Sequence, residues 1–357
     1  MIDWKEHLHQ AVAHQASDVF FVAGGPVCRK QEGRICQVDT RRLLPEDTRQ
    51  IVTEVYEAAG RKMDAYLERG DDDFSFAIPG TARFRVNTYR QRGSMAAVIR
   101  VVSFDIPDWQ AIGIPEQVMD LSRLTEGMVL VTGTAGSGKS TTQACIIDRI
   151  NRTRDCHIVT LEDPIEFLHR HNRSIVSQRE IAIDTSDWLS ALRACVRQAP
   201  DVILLGEMRD PETIHTAISA AETGHLVIAT LHTRGAVNAI DRIIDAFPGS
   251  QQPQIRIQLA GVLRTVVSQQ LLPDCHGGQV PACEILHVTA AVRSMIRDNR
   301  NHQINNAIAA GGKEGMVTMD QAIARLYHAG KITRATALEH ADNHPQLERL
   351  LEPGRNG

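Results

Sequence analysis

The sequence predicts an α/β protein with a mostly parallel sheet between about residues 121 and 256. A smaller α+β domain precedes the sheet and helices follow it. Three observations lead there. Short apolar runs, MVLVTG, HIVTLED, DVILLGE and HLVIATLH, alternate with longer helical stretches, as expected of strands buried on both faces and joined by crossover helices. The first run leads directly into a glycine-rich loop and a helix. Before residue 102 the runs are shorter, alternate with period two and are separated by turn residues, which marks a meander.

In chain order, an amphipathic helix runs to about His14. The strand VFFVA, the breaker Gly24-Gly25-Pro26, the strand VCRKQ, a turn at Glu32-Gly33-Arg34 and the strand ICQV follow. Pro45 opens a helix to about Ala59, since proline suits a first helical turn. Arg83–Tyr89 and Ala96–Val102 alternate in character and are joined like a hairpin by Gln91-Arg92-Gly93-Ser94. SFDIPDWQAIGIP carries two prolines and little periodicity and reads as a linker. The predicted organisation is therefore a domain at 1–102, a linker at 103–120 and a second domain at 121–357. Beyond about Arg256 the pattern reads as helical apart from VPACEIL, and a helix near Met319–Tyr327 places Met319, Ala322, Ile323 and Leu326 on one core-facing side.

At 357 residues the chain has room for two domains. Its net charge of −4 gives no global basic field for nucleic acid. The polar start MIDWKEHLHQ lacks a signal-peptide core, and no apolar run is long enough to span a bilayer. None of the seven cysteines forms a CxxC pair. Cys275, His276 and Cys283 lack the four suitably spaced ligands of a zinc site, so a reducing cytoplasm is expected.

Gly133-Thr134-Ala135-Gly136-Ser137-Gly138-Lys139-Ser140, followed by Thr141, matches GxxxxGK[ST] between a strand and a helix, the context this phosphate motif requires. Its glycines let backbone N–H groups turn inward, and the helix N-terminus adds partial positive charge. ATP is the expected ligand, with Lys139 on the β- and γ-phosphates and Ser140 on Mg2+. Other strands end in Glu162, in Glu207 and in Thr230-Leu231-His232, and ligands in open α/β sheets bind beyond the carboxyl ends of the strands. Glu207 suits the role of orienting water and accepting its proton. Glu162 suits Mg2+, directly or through water, or a share of that role. His225 and His232 flank the last strand, and one of them is expected to contact the γ-phosphate.

At these residues the chain resembles the PilT/PilU branch of the secretion-superfamily ATPases. VTGTAGSGKSTT, TLEDPIEF, DVILLGEMRD and AETGHLVIATLHT match its four ordered boxes, and VSQREI lies among them. ASDVFFVAGGP, DDDFSFAIPG and RFRVNTYRQRG resemble its N-terminal domain, and AVRSMIRDNRNHQI and GMVTMDQAIARLYHAGKIT its C-terminal helices. The resemblance implies a RecA-like P-loop core, a PAS-like N-terminal domain and a homohexameric ring that powers pilus retraction. It also implies an inner-membrane platform partner reached from the cytoplasmic face, a paralogous retraction ATPase as a further partner, and phosphate-directed roles for Arg83, Arg85 and Arg100. Departures are SDVF where SDLH is usual and AVRSMIRD where AIRNLIRE is usual. The C-terminal LEHADNHPQLERLLE is nearer the PilU side, which leaves a primary or an accessory motor open.

Other readings are a traffic ATPase of type II or IV secretion or DNA transfer, a nucleic-acid translocase and a non-hydrolysing scaffold. The absence of CxxC argues against the assembly and secretion relatives. The few aromatic residues and the negative charge argue against the translocase. Glu207 and Lys139 argue against the scaffold.

Overall fold

The computed structural model describes residues 2–31, 33–102 and 106–352. Glu32 of the expected turn and residues 103–105 of the expected linker lie outside them. Two compact units emerge, Met1–Asp105 with Glu166–Leu168, and Ile106–Ile165 with His169–Gly357.

The first unit contains α1 (Trp4–Ala13), β1 (Asp18–Val22), β2 (Pro26–Gln31), β3 (Arg34–Arg42), α2 (Pro45–Ala58), α3 (Asp64–Arg69), β4 (Asp71–Ile78), β5 (Ala82–Gln91) and β6 (Ser94–Val102). Asp3 caps α1 by accepting from the Glu6 N–H. Pro45 and the Asp47 carboxylate, which accepts from the Leu44 N–H, start α2. The strands form an antiparallel sheet in the order β3-β2-β1-β6-β5-β4. On β5, Ala82, Phe84, Val86 and Thr88 are buried, while Arg83, Arg85 and Asn87 alternate with them. That period-two pattern gives the sheet one greasy face, closed by Ile51, Val52, Val55 and Tyr56 of α2.

The second unit begins with α4 (Glu116–Met119), β7 (Gly127–Thr132), α5 (Lys139–Thr153), β8 (His157–Glu162), β9 (Ile175–Glu180), α6 (Trp188–Cys195), β10 (Val202–Leu205), α7 (Pro211–Glu222) and β11 (Leu226–Leu231). It continues through α8 (Ala236–Asp245), α9 (Gln252–Val262), β12 (Leu263–Pro273), β13 (Gln279–His287), α10 (Ala290–Arg297), α11 (Ile304–Ala310), α12 (Met319–His328), α13 (Arg334–Glu339) and α14 (His344–Leu351). The sheet order is β13-β12-β7-β11-β10-β8-β9. All neighbours are parallel except β12 and β13.

Every residue of β7, β10 and β11 is buried. Met128, Leu130, Ile203, Leu205 and Val227 join the helices on one face, whereas Val129, Val131, Val202, Leu204 and Ile228 join α5 on the other. Truncating one such residue, Leu130, to alanine would cost about 2–5 kcal/mol.

Two expectations change. The region after Arg256 is not helical throughout, because β12 is an eleven-residue strand between β7 and β13. Both faces of Val266–Gln269 are buried, so period-two alternation is lost, and Gln269-Gln270 imitate the polar side of a helix. From Ile106 the segment read as linker packs into the second unit. Ile114, Val118 and Met119 are buried with Ile146, Ile147 and Ile150, and Trp109 packs against them. Its prolines hid an apolar pattern of no regular period.

Candidate active site

The parallel register brings the strand ends to one edge. Thr132 of β7 pairs with Leu231 of β11, and Leu161 of β8 pairs with Leu205 of β10. The 133–140 loop, Glu162, Glu207 and His232 thus leave the sheet on the same side. The Thr230 hydroxyl donates to the Gly206 carbonyl and ties the end of β11 to the turn that carries Glu207.

Gly138 caps α5 at φ +82°, a left-handed conformation that a side chain disfavours. Gly133 has φ +147°, and a Cβ there would lie 2.4 Å from the Gln269 carbonyl oxygen. Lys139 is 8 % exposed and its Nζ donates to the carbonyls of Gly133 at 2.9 Å and Thr134 at 2.8 Å. The ammonium is therefore held inside its own loop. The Ser137 hydroxyl is enclosed without a hydrogen-bond partner. A curved loop that excludes side chains, a helix N-terminus and an orphaned hydroxyl fit a phosphate group. Ser140 and Thr141 occupy the first turn of α5, and the Ser140 hydroxyl with the Glu162 carboxylate is donor chemistry suited to Mg2+.

Glu207 is the electrostatic centre. Its Oε2 lies 2.7 Å from Arg209 Nη2 and its Oε1 lies 3.5 Å from His232 Nε2. Burial pushes the carboxyl up, but the Arg209 hydrogen bond and charge, with His232 and Lys139, outweigh it and hold the group below the usual range. Arg209 is raised in turn by that hydrogen bond and the Glu207 charge. Glu162 Oε1 accepts from Thr160 Oγ1 at 2.5 Å and from Gln178 Nε2 at 3.1 Å, which turns it toward β9.

His225 does not belong to this edge. It precedes β11, its Nδ1 lies 2.9 Å from the Ala220 carbonyl, and its own carbonyl accepts from Gly127 N at the start of β7. The six residues of β11 separate it from His232, about 23 Å at the usual strand rise. Flanking a strand in sequence means standing at opposite ends of it in space.

Arg83, Arg85 and Arg100 lie in the first unit. Arg85 on β5 is directly opposite Arg100 on β6. Such a like-charge pair is unfavourable alone, and each member has its own acid: Arg85 Nε to Asp73 at 3.3 Å, Arg100 Nε to Asp18 at 2.9 Å. Arg83, two residues along, pairs with Val102.

Sequence reasoning missed Arg209 and Gln269. The first could have been found in the MRD that follows Glu207. The second was concealed by reading β12 as helix.

The family described as Type II/IV secretion system protein matches residues 2–349. The chain is 40 % identical to the type IV pilus retractation ATPase PilT of Pseudomonas aeruginosa over 95 % of its length and 98 % of the relative's. It is 36 % identical to the type IV pilus ATPase PilU of the same organism, over 99 % and 92 % respectively. Among solved structures it resembles the pilus retraction motor PilT with bound ADP, with TM-score 0.90 and 43 % identity over 98 % of this chain and all of that one. With its phosphate loop, its acidic strand ends and nearly its whole length matched, the chain belongs to the type II/IV secretion system protein family, among the P-loop ATPases.

Proposed function

We propose that this chain is the ATP-hydrolysing motor of type IV pilus retraction, working as a homohexamer against an inner-membrane platform protein from the cytoplasmic side. The reading is carried by the shared edge at which the 133–140 loop, Glu207, Arg209 and His232 meet. It is supported by the length over which PilT and PilU align. Among the described residues no helix is long and apolar enough to cross a membrane, which agrees with docking onto an integral partner.

In this reading the loop N–H groups and the α5 N-terminus grip the phosphates, and Lys139 exchanges a loop carbonyl for a phosphate oxygen. Glu207, kept ionised by Arg209, orients the attacking water and takes its proton. His232 beside it senses the loss of the γ-phosphate. Ser140 and Glu162 would hold Mg2+, which would supply positive charge to the phosphate oxygens. Arg85 and Arg100 act on hydrolysis from the first unit, with Arg83 the weaker contributor. The greater identity to PilT than to PilU supports the primary over the accessory role, with a PilU-like paralogue as a further partner.

The test is complementation of a host lacking its own retraction ATPase. The chain should restore twitching and Lys139→Ala should not. An active ATPase that assembles but leaves pili extended would redirect the reading to secretion.

A further inference from the structure

Gln269 stands on β12 one residue beyond Ser268, which pairs with Thr132 where β7 gives way to the phosphate loop. It is 2 % exposed. Its Nε2 donates to the Ser137 carbonyl at 2.7 Å, and its Oε1 accepts from the Thr142 hydroxyl at 2.7 Å. Its backbone oxygen lies 2.4 Å from where a Cβ on Gly133 would fall, and its Nε2 lies 2.7 Å from the equivalent point on Gly138. One buried residue on a neighbouring strand thus meets the beginning of the loop with its backbone, and the end of the loop and the first turn of α5 with its side chain.

The consequence follows from peptide geometry. In a planar trans peptide the C=O and the next N–H point in opposite directions. Tying the Ser137 carbonyl to Gln269 therefore turns the Gly138 N–H away from β12, into the concavity of the loop. A peptide free to flip would present an oxygen to an incoming phosphate instead. Thr142, held by the other end of the same amide, fixes the helix that follows.

We propose that Gln269 is a positioning residue for nucleotide, which sets the orientation of the Ser137–Gly138 peptide and so the donor geometry of the phosphate loop. The proposal rests on the reading of that loop as the ATP site. It makes β12 part of the site, although the strand contributes no group to the reacting atoms.

The test uses the full chain with Gln269→Met, which keeps volume and removes both hydrogen bonds, and Gln269→Glu, which keeps the contact with Thr142 but opposes an acceptor to the Ser137 carbonyl. Fluorescent ATP-analogue binding, KM, kcat and melting temperature are measured. Loss of a buried hydrogen-bond partner predicts analogue binding weaker by about tenfold in both variants. KM should rise in step, while kcat at saturation is largely kept, since Lys139 and Glu207 are untouched. Thr142→Val should raise KM less, and should add little on top of Gln269→Met because the link is already gone.

Lower melting temperatures with parental KM and binding would make Gln269 merely structural and overturn the proposal. Should the Gln269 variants fail to fold, an unchanged KM in Thr142→Val overturns it equally. Lys139→Ala is run alongside. If it binds nucleotide like the parent, the ATP-site reading fails. If it loses binding while both Gln269 variants keep parental affinity, the positioning role alone fails.

Discussion

Glu207→Gln isolates the base from everything around it. The amide keeps the shape and an oxygen for Arg209, which now donates at 2.7 Å to Oε2, and it loses the negative charge and the capacity to take a proton. Removing general-base help predicts a fall in kcat of about 10²–10⁴-fold. The stability change should be small by comparison. Arg209 is 69 % exposed, so water solvates its freed charge, and exposed ion pairs are worth at most about 1 kcal/mol. That corresponds to a shift of about 4 °C or less in melting temperature for a domain of this size. Binding should survive, because the loop and Lys139 are unchanged. The assay is steady-state phosphate release together with analogue binding and a melting curve on the same preparation. Parental turnover in a folded, nucleotide-binding variant would refute the assignment and pass the role to Glu162, whose carboxylate at the end of β8 leaves the sheet on the same side.

Arg209→Ala removes the hydrogen bond and charge that hold the Glu207 carboxyl down. The base is then protonated at higher pH, so the acid limb of the kcat/KM profile should move upward, and an unmoved limb would remove Arg209 from the electrostatics. By the same sign, the part of folding stability that comes from depressed Glu207 is present above its unfolded-state pKa and fades as pH falls. Gly138→Ala should weaken nucleotide binding and lower stability by about 1–3 kcal/mol, because the new methyl meets Gln269 at 2.7 Å on a left-handed backbone; parental binding and melting would contradict the described loop. Arg85→Ala and Arg100→Ala should both depress turnover with nucleotide binding kept. Only Arg100→Ala should also destabilise, by about 1–3 kcal/mol, since it strands Asp18 at 7 % exposure whereas Asp73 is 52 % exposed. Unchanged phosphate release in both would sever the arginines from hydrolysis.

The parts of the fold with a strong local signature were readable in advance. The four apolar runs became β7, β8, β10 and β11, because burial on both faces leaves little choice of residue. The phosphate loop was legible because its constraint is backbone geometry, which only glycine at positions such as Gly133 satisfies. Sequence order puts His225 before β11, at its amino end, and does not put it beside the residue that follows the strand. Nor does it reveal partners drawn from far along the chain: Gln269 meets Ser137 across 132 residues. The packed segment from Ile106 to Met119 was obscure for another reason. Irregular backbone buries apolar side chains without a period, so no template of 2 or 3.6 residues detects it.

The position of β7 in the sheet has a kinetic consequence. Its hydrogen-bonded neighbours are β11 and β12, so residues 127–132 pair with 226–231, and 128–132 with 263–268. Closing pairs that distant in sequence is slow. At ordinary rates of synthesis the strand that completes the loop's support leaves the ribosome about 7–27 s after β7 does. The first unit has all its strands within the first 102 residues and can complete its sheet long before. The nascent protein therefore passes through an interval in which the phosphate loop exists as sequence but has no walls. Until β12 emerges, the apolar β7 keeps at least one edge unpaired, the kind of segment that chaperones bind.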